Sequence, residues 1–257
     1  MSIRAKKHLG QHFLTDENIA KKIVNSLSFQ EYHHVLEVGP GMGVLTKYLL
    51  EHPEQEIYLA EIDNESIEYL KQNYPKLTHD HFIGDFLKTD FSFTELGQIA
   101  VIGNFPYNIS SQILFKIIDY YNRVPEMVGM FQKEVAERTA AVPRTKEYGI
   151  LSVLVQAYYD VHYLFTVHEN VFNPPPKVKS GVIQLVRNPK PGLEYHEVLF
   201  KQIVKTGFNQ RRKKLSNALK SLVIPEALKS HEFMDKRAEE LSVEDFIGFT
   251  QLWKKYQ

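Results

Sequence analysis

HVLEVGPGMGVLTKYLLE, residues 34–51, contains the turn from which the rest of the chain can be read. A strand-like run from Val35 to Val38, apolar except for Glu37, meets three glycines, Gly39, Gly41 and Gly43, and an amphipathic stretch follows. Strand, glycine turn and helix in that order open a βαβ unit. The alternation continues downstream. IYLAEI, HFIGD, IAVIGN and MVGMFQ have strand character, whereas NESIEYLKQNY, SSQILFKIIDYY and KEVAERTAA carry apolar residues at helical spacing. GILSVLVQAYY has features of both and is assigned to a helix. DVHYLFTV and SGVIQLVR are two further strands with no helix between them, so they are expected to pair as an antiparallel hairpin at one edge. Seven strands, the first five alternating with helices, predict a mainly parallel, doubly wound α/β sheet.

Helical spacing also precedes this region, over residues 16–27. Pro189, Pro191 and Gly192 mark a linker. Beyond it the pattern is helical, over residues 194–208, 211–222, 225–229 and 243–256. The chain is therefore expected to divide into an α/β domain, residues 1–187, and a small all-α domain, residues 188–257.

A length of 257 residues accommodates both. The chain has no cysteine, which excludes disulfides, zinc–thiolate sites and cysteine nucleophiles. It has no signal-peptide core and no apolar run long enough to span a bilayer, so a cytoplasmic protein is expected. The net charge is zero but unevenly spread: residues 188–257 hold 13 Lys and Arg against nine Asp and Glu. Seven of those bases and no acid fall within residues 201–220. A second acid-free basic group, Arg4, Lys6 and Lys7, lies in an N-terminal arm, residues 1–15. Either group alone reads as a solvated face; both are also candidates for phosphate contacts.

In a doubly wound sheet ligands bind beyond the carboxyl ends of the strands. Gly39 and Gly41 lie there, and the second strand ends in Glu61, an acid suited to the hydroxyls of a ribose. HFIGD ends in Gly84-Asp85, whose carboxylate can accept from an adenine amino group. Ile62 and Phe86, next to the two acids, join the same set. A dinucleotide fingerprint would place its third glycine where this chain has Val44, so the loop favours S-adenosylmethionine over NAD.

IAVIGN runs into Asn104-Phe105-Pro106-Tyr107 in the same row of strand ends. Asn104 offers an acceptor oxygen. Pro106 restricts Phe105 to an extended backbone, which aims its carbonyl at the same place. Two acceptors can hold the two hydrogens of an exocyclic amine, and Tyr107 offers a face for a nucleobase. These four residues predict a clamp for an adenine amine, with methyl transfer driven by positioning rather than by a strong base.

With those residues in place, the chain resembles the ribosomal RNA adenine N6-dimethyltransferase family, in particular its small-subunit branch. KKHLGQHFL, EVGPGMGVLT, AEID, GNFPYNISS, MFQKEVAER, YGILSVLVQ, VFNPPPKVKSGVI and FNQRRKKLSNAL carry the resemblance over nearly the whole chain. It implies a Rossmann-like methyltransferase domain followed by a helical rRNA-binding domain. It also implies an enzyme that needs no metal and methylates two neighbouring adenosines near the 3′ end of 16S rRNA. The substrate would be an assembling small subunit, met by a monomer, and the cofactor product S-adenosylhomocysteine. By position it makes His12, Leu14, Gly39, Glu61, Asp85 and Asn104 cofactor contacts. Tyr107 and Phe172 become the two aromatic faces for the target base, and Arg211, Arg212, Lys213 and Lys214 the rRNA phosphate contacts. The family usually has Asn where this chain has His12, and an aliphatic residue at Phe105. A neutral imidazole still donates one hydrogen bond, and the role of Phe105 is a backbone carbonyl.

A large-subunit dimethyltransferase of the antibiotic-resistance type would share the clamp, but NPPPKVKSG and FNQRRKKLSNAL speak against it. A non-catalytic assembly factor is disfavoured by the intact cofactor set. A NAD-dependent oxidoreductase is disfavoured by Val44 and by the lack of an acid suited to hydride transfer.

Overall fold

The computed structural model describes residues 5–6, 9–94, 97–188 and 196–257. In chain order the elements are β1 (Phe13–Leu14), α1 (Glu17–Val24), β2 (His34–Val38), α2 (Thr46–Leu49), β3 (Glu56–Ala60) and α3 (Asn64–Asn73). Then come β4 (Ile99–Asn104), α4 (Ser110–Asp119), β5 (Glu126–Gln132), α5 (Lys133–Thr139), α6 (Ile150–Gln156) and β6 (Tyr159–Val167). The chain ends with β7 (Phe172–Asn173), β8 (Ser180–Arg187), α7 (Glu197–Asn209), α8 (Leu215–Ala218) and α9 (Val243–Lys255).

Six strands form one sheet in the order β3-β2-β4-β5-β8-β6. β3, β2, β4 and β5 run parallel, and β8 enters antiparallel to β5. The fold class is as the sequence pattern predicts, with one strand fewer in the sheet. HFIGD forms a single bridge, Leu59 to Phe82, because a turn at His79–His81 precedes it and Gly84, at φ +78°, ends it. That bridge still carries Asp85 to the end of β3. β8 is inserted between β5 and the edge strand β6.

The central strands are buried on both faces, as parallel strands covered by helices must be. Parallel register pairs Val38 with Ala60 and Glu37 with Ile102, which aligns the strand ends that carry Gly39, Glu61 and Asn104. β1 and β7 form a separate two-stranded ladder that pairs Leu14 with Phe172 and Phe13 with Asn173. No sequence pattern marks strands of two residues. Glu126, buried at the start of β5, accepts from the Ser28 and Tyr32 hydroxyls, each at 2.7 Å, and from the Gln184 amide at 2.6 Å. This network secures the connection that leads into β2.

The described residues fall into two compact units, one from 1–136 with 161–187 and one from 137–160 with 188–257. The second unit joins residues 137–160, which the sequence pattern puts in the α/β domain, to residues 188–257. α6 packs on α7, and the Tyr148 hydroxyl donates to the Leu241 carbonyl at 3.0 Å. The linker residues 189–192 lie outside the described residues. Phe200, Phe208, Phe246, Phe249 and Trp253 form the core of this unit. The helix expected over 211–222 is reduced to α8. Among the described residues, no helix is long and apolar enough to cross a membrane.

Candidate active site

A cleft of ≈ 740 Å³, including its open mouth, lies at the ends of β2, β3 and β4. His12, Gly39, Gly41, Glu61, Ile62, Asp85, Phe86, Asn104, Phe105, Pro106 and Tyr107 all line it. Residues separated by most of an α/β domain in the chain thus meet in one place.

At Gly41 the backbone has φ +55°, and a Cβ there would lie 2.8 Å from the Phe13 ring. Only glycine leaves the space open. The Gly41 N–H donates to Glu61 at 3.2 Å, and the N–H groups of Ile62 and Asp63 donate at 2.8 and 2.9 Å. Glu61 is buried, and this burial pushes its carboxyl up from the ordinary range despite the three donors. Its position is fixed before any ligand arrives. One Asp85 oxygen accepts from the Leu87 N–H at 2.9 Å, and the Lys88 ammonium lies 3.4 Å from the other. Beside Asp85, Phe86 is buried edge-on against Phe91. The Lys116 ammonium lies over both rings and donates to the Leu87 carbonyl at 3.0 Å, which steadies the loop carrying Asp85. Burial lowers the Lys116 pKa.

The Asn104 amide nitrogen lies 2.8 Å from the His12 carbonyl oxygen. A carbonyl only accepts, so the NH₂ end faces His12 and Oδ1 is the end left for a ligand. Phe105 is fully buried, its ring 4.9 Å from that of Phe131 between centroids. The part of Phe105 that lines the cleft is therefore its backbone. The Tyr107 hydroxyl and the Ser180 hydroxyl are 2.6 Å apart, which fixes the phenol ring. Burial raises the Tyr107 pKa.

Two expected contacts are placed elsewhere. Phe172 is buried in the core and does not line the cleft; its ladder with Leu14 turns the side chain inward. Leu14 is likewise a core residue, though it lines a second cavity that shares Gly39, Phe13 and Asn104 with the first. Sequence spacing cannot separate these core positions from site positions, because burial here depends on a two-residue ladder 158 positions apart in the chain.

The structure adds Leu9, Gly10, Gln11 and Phe13 to the cleft. They belong to a strap from the N-terminal arm. Lys6 anchors it, with its ammonium 2.6 Å from Asp63 and 3.0 Å from Glu65, and Gln11 donates to Asp63 at 3.2 Å. The Lys6 charge is thus used inside the protein rather than offered to phosphate, and its pKa is raised by these hydrogen bonds. Arg4 and Lys7 lie outside the described residues. Glu37 is also absent from the sequence-based set. It is fully buried, accepts from the Thr46 hydroxyl at 2.6 Å, and burial pushes its carboxyl up to about 8. The acid in EVG could have signalled it.

In the second unit, Arg211 is partly exposed, but its guanidinium is taken up by partners within the protein. It pairs with Glu239 and donates to the carbonyls of Lys146 at 2.8 Å and Thr145 at 2.9 Å. Arg212 and Lys213 are exposed, and so is Lys214, 2.9 Å from Asp235. Arg144, Arg212, Lys214 and Arg237 line one groove together with Asp235, Glu239 and Glu240. Among the described residues, no group of His, Asp and Glu has the arrangement of a metal site.

Residues 2–255 match the family model described as ribosomal RNA adenine dimethylase. The chain is 55% identical over 251 residues to ribosomal RNA small subunit methyltransferase A of Cytophaga hutchinsonii, covering 97% of each. It is 56% identical over 250 residues to the protein of the same name from Flavobacterium johnsoniae, covering 97% of this chain and 95% of that one. Among solved structures it is similar to a dimethyladenosine transferase from Plasmodium falciparum, with 26% identity and a TM-score of 0.80, covering 95% of this chain and 98% of that one. The 23S rRNA methyltransferase ErmE, at 22% identity and a TM-score of 0.69, covers 94% of this chain and 99% of its own, and shares the fold. From its first described residues to its last helix, the chain belongs to the ribosomal RNA adenine dimethylase family.

Proposed function

We propose that the protein transfers methyl groups from S-adenosylmethionine to N6 of two adjacent adenosines near the 3′ end of small-subunit rRNA, giving N6,N6-dimethyladenosine. One observation carries this most: the His12 carbonyl holds the Asn104 side chain so that an acceptor oxygen remains at the end of β4. An exocyclic amine can donate to that oxygen.

The residues fit the cofactor. Gly41 opens a cradle that a Cβ would fill, Glu61 is fixed for a ribose, and Ile62 exposes an apolar side chain at the rim. When bound, S-adenosylmethionine supplies a sulfonium methyl that the N6 lone pair accepts as the sulfur–carbon bond breaks. Asn104 Oδ1 and the Phe105 carbonyl hold the N6 hydrogens and favour a lone pair directed out of the ring plane. Tyr107 gives the flipped-out base its stacking face. Water takes the released proton, and the rate comes from orientation and fixed dipoles.

The second unit supplies the rRNA contacts. Arg212, Lys213 and Lys214 remain the phosphate-binding candidates, joined by Arg144 and Arg237 of the same groove. Arg211 supports that surface from within. The enzyme acts in the cytoplasm, as a monomer, on an assembling small subunit.

The test is transfer of labelled methyl groups to small subunits lacking this modification, with large subunits in parallel and the digested rRNA read by mass spectrometry. Dimethyladenosine confined to the 3′ region of the small-subunit RNA is the expected result. Label on large subunits moves the protein to the resistance-type branch, and no label on either removes the proposed activity.

A further inference from the structure

One half-buried lysine beside the cleft has no part in the methyl transfer itself. Lys116 stands on α4, the helix that follows Asn104–Tyr107. Its ammonium lies 5.7 Å from the Phe86 ring centroid, 5.8 Å from that of Phe91 and 5.2 Å from that of Tyr120. It donates to the carbonyl of Leu87, at 3.0 Å, and to that of Thr89. An ammonium is costly to place among rings unless its hydrogens find acceptors, and here two backbone carbonyls receive them.

Both carbonyls belong to the loop that carries Asp85. Sheet contact ends just before it, in the single bridge from Leu59 to Phe82, and Gly84 follows at φ +78°. The Asp85 carboxylate therefore depends on its own turn. Leu87 is the shared residue: its N–H donates to Asp85 Oδ1 at 2.9 Å, while its carbonyl accepts from Lys116. The N–H groups of Lys88 and Thr89 donate back to the Asp85 carbonyl at 3.0 and 3.1 Å, which closes the turn on itself. Lys116 then ties that turn to α4 from outside it.

We propose that Lys116 is a positioning residue for recognition of the cofactor's adenine. Through the Leu87 peptide it sets the Asp85 carboxylate, which accepts from the 6-amino group. The inference rests on the reading that the cleft takes S-adenosylmethionine with its adenine at Asp85. Lys116 does not line the cleft. Its contribution is therefore selectivity for the amino group, exerted through Asp85, rather than a contact of its own.

Calorimetry with two ligands separates positioning from general support. They are S-adenosylhomocysteine and S-inosylhomocysteine, which has an oxo group in place of the 6-amino group. A carboxylate accepts from the amine and repels the oxo oxygen, so the unaltered protein should prefer S-adenosylhomocysteine by about tenfold or more. Lys116→Met keeps the length of the side chain and removes its charge and its donors. It should lower that preference about fivefold, through weaker binding of the adenine ligand alone. In an Asp85→Ala background Lys116→Met should change the preference no further, since the carboxylate it acts on is gone. The proposal is overturned if Lys116→Met leaves the preference unchanged, whether both affinities hold or both fall together as loss of general support would make them. It is overturned too if the effect persists without Asp85. If the Met variant does not accumulate, Lys116→Gln is read in the same way. An unaltered protein that binds both ligands alike refutes the adenine assignment at Asp85 and this inference with it. One that binds neither bears instead on the proposed function.

Discussion

Gly129→Ala tests the packing that supports the proposed amine clamp. A Cβ built at Gly129 lies 2.1 Å from Phe105 Cε2, 2.8 Å from Cδ2 and 2.9 Å from Met127 Sδ. Carbon atoms in contact prefer about 3.5–4.0 Å, so the Phe105 ring would have to move by more than an ångström. It has little room to do so. The ring is 1% exposed and packs on Phe131, and the Phe105 N–H is tied to the Met130 carbonyl at 3.1 Å. On the other side, a Cβ at Gly103 would be 2.8 Å from the same ring, which therefore fills the space over two strand glycines. Overpacking of this kind costs about 1–3 kcal/mol, or a fall in Tm of about 2–4 °C per kcal/mol for a chain of this size. Because Phe105 sits between Asn104 and Pro106, relief by backbone shift would also move the clamp. Denaturant titration gives the stability loss, and methyl transfer to small subunits gives the loss of rate. Phe105→Leu shortens the side chain at the clash. In the Gly129→Ala background it should recover most of the stability, a coupling of about 1–2 kcal/mol. If Gly129→Ala costs less than about 0.5 kcal/mol, the size of a neutral surface change, or if Phe105→Leu brings no recovery, the ring is not held as described.

Asn104→Ala should lower the transfer rate about 10²–10³-fold, the usual cost of losing one aligned polar group, with little change in melting temperature; near-normal turnover removes the clamp. Glu37 is protonated in the folded protein up to about pH 8 but ionises near 4.5 when unfolded. The folded state holds the extra proton between those values, so stability falls as pH rises through that window. Glu61, also raised by burial, acts in the same sense. Glu37→Gln should therefore flatten, without abolishing, the decline in urea midpoint from pH 5 to pH 8; an unchanged slope refutes this. Arg211→Ala should destabilise the second unit by about 1–2 kcal/mol, a loss of charged hydrogen bonds reduced by partial exposure. Reversal of Arg212 and Lys213 should instead leave the midpoint alone, weaken small-subunit binding and flatten its salt dependence. Equal effects of the two changes on binding would put Arg211 on the phosphates after all.

What could be read from sequence was local. The glycine turn at residues 39–43, the acid at 61 and the Asn104–Tyr107 motif each follow a strand within a few residues. Strand ends in a parallel sheet necessarily share one edge, so alternation alone brought these groups together. HFIGD shows the limit of that logic: Asp85 reaches its place through one bridge and a glycine turn, not through a strand.

Amino-acid order by itself determined the α/β class, the row of strand ends and the Asn104–Tyr107 turn at one of them, because these depend on periodicity and on neighbours along the chain. Tertiary structure alone decided what the charges and rings outside that row do. Lys6 and Arg211 look alike in sequence to any basic residue that meets phosphate, yet Lys6 pairs with Asp63, 57 positions away, and Arg211 donates to Thr145, 66 positions away. Phe172 is in the core and His12 stands beside Tyr107 for the same reason. A side chain's partner, and hence its solvation and its use, is set by which distant segments pack against it, and that information is not local in the sequence.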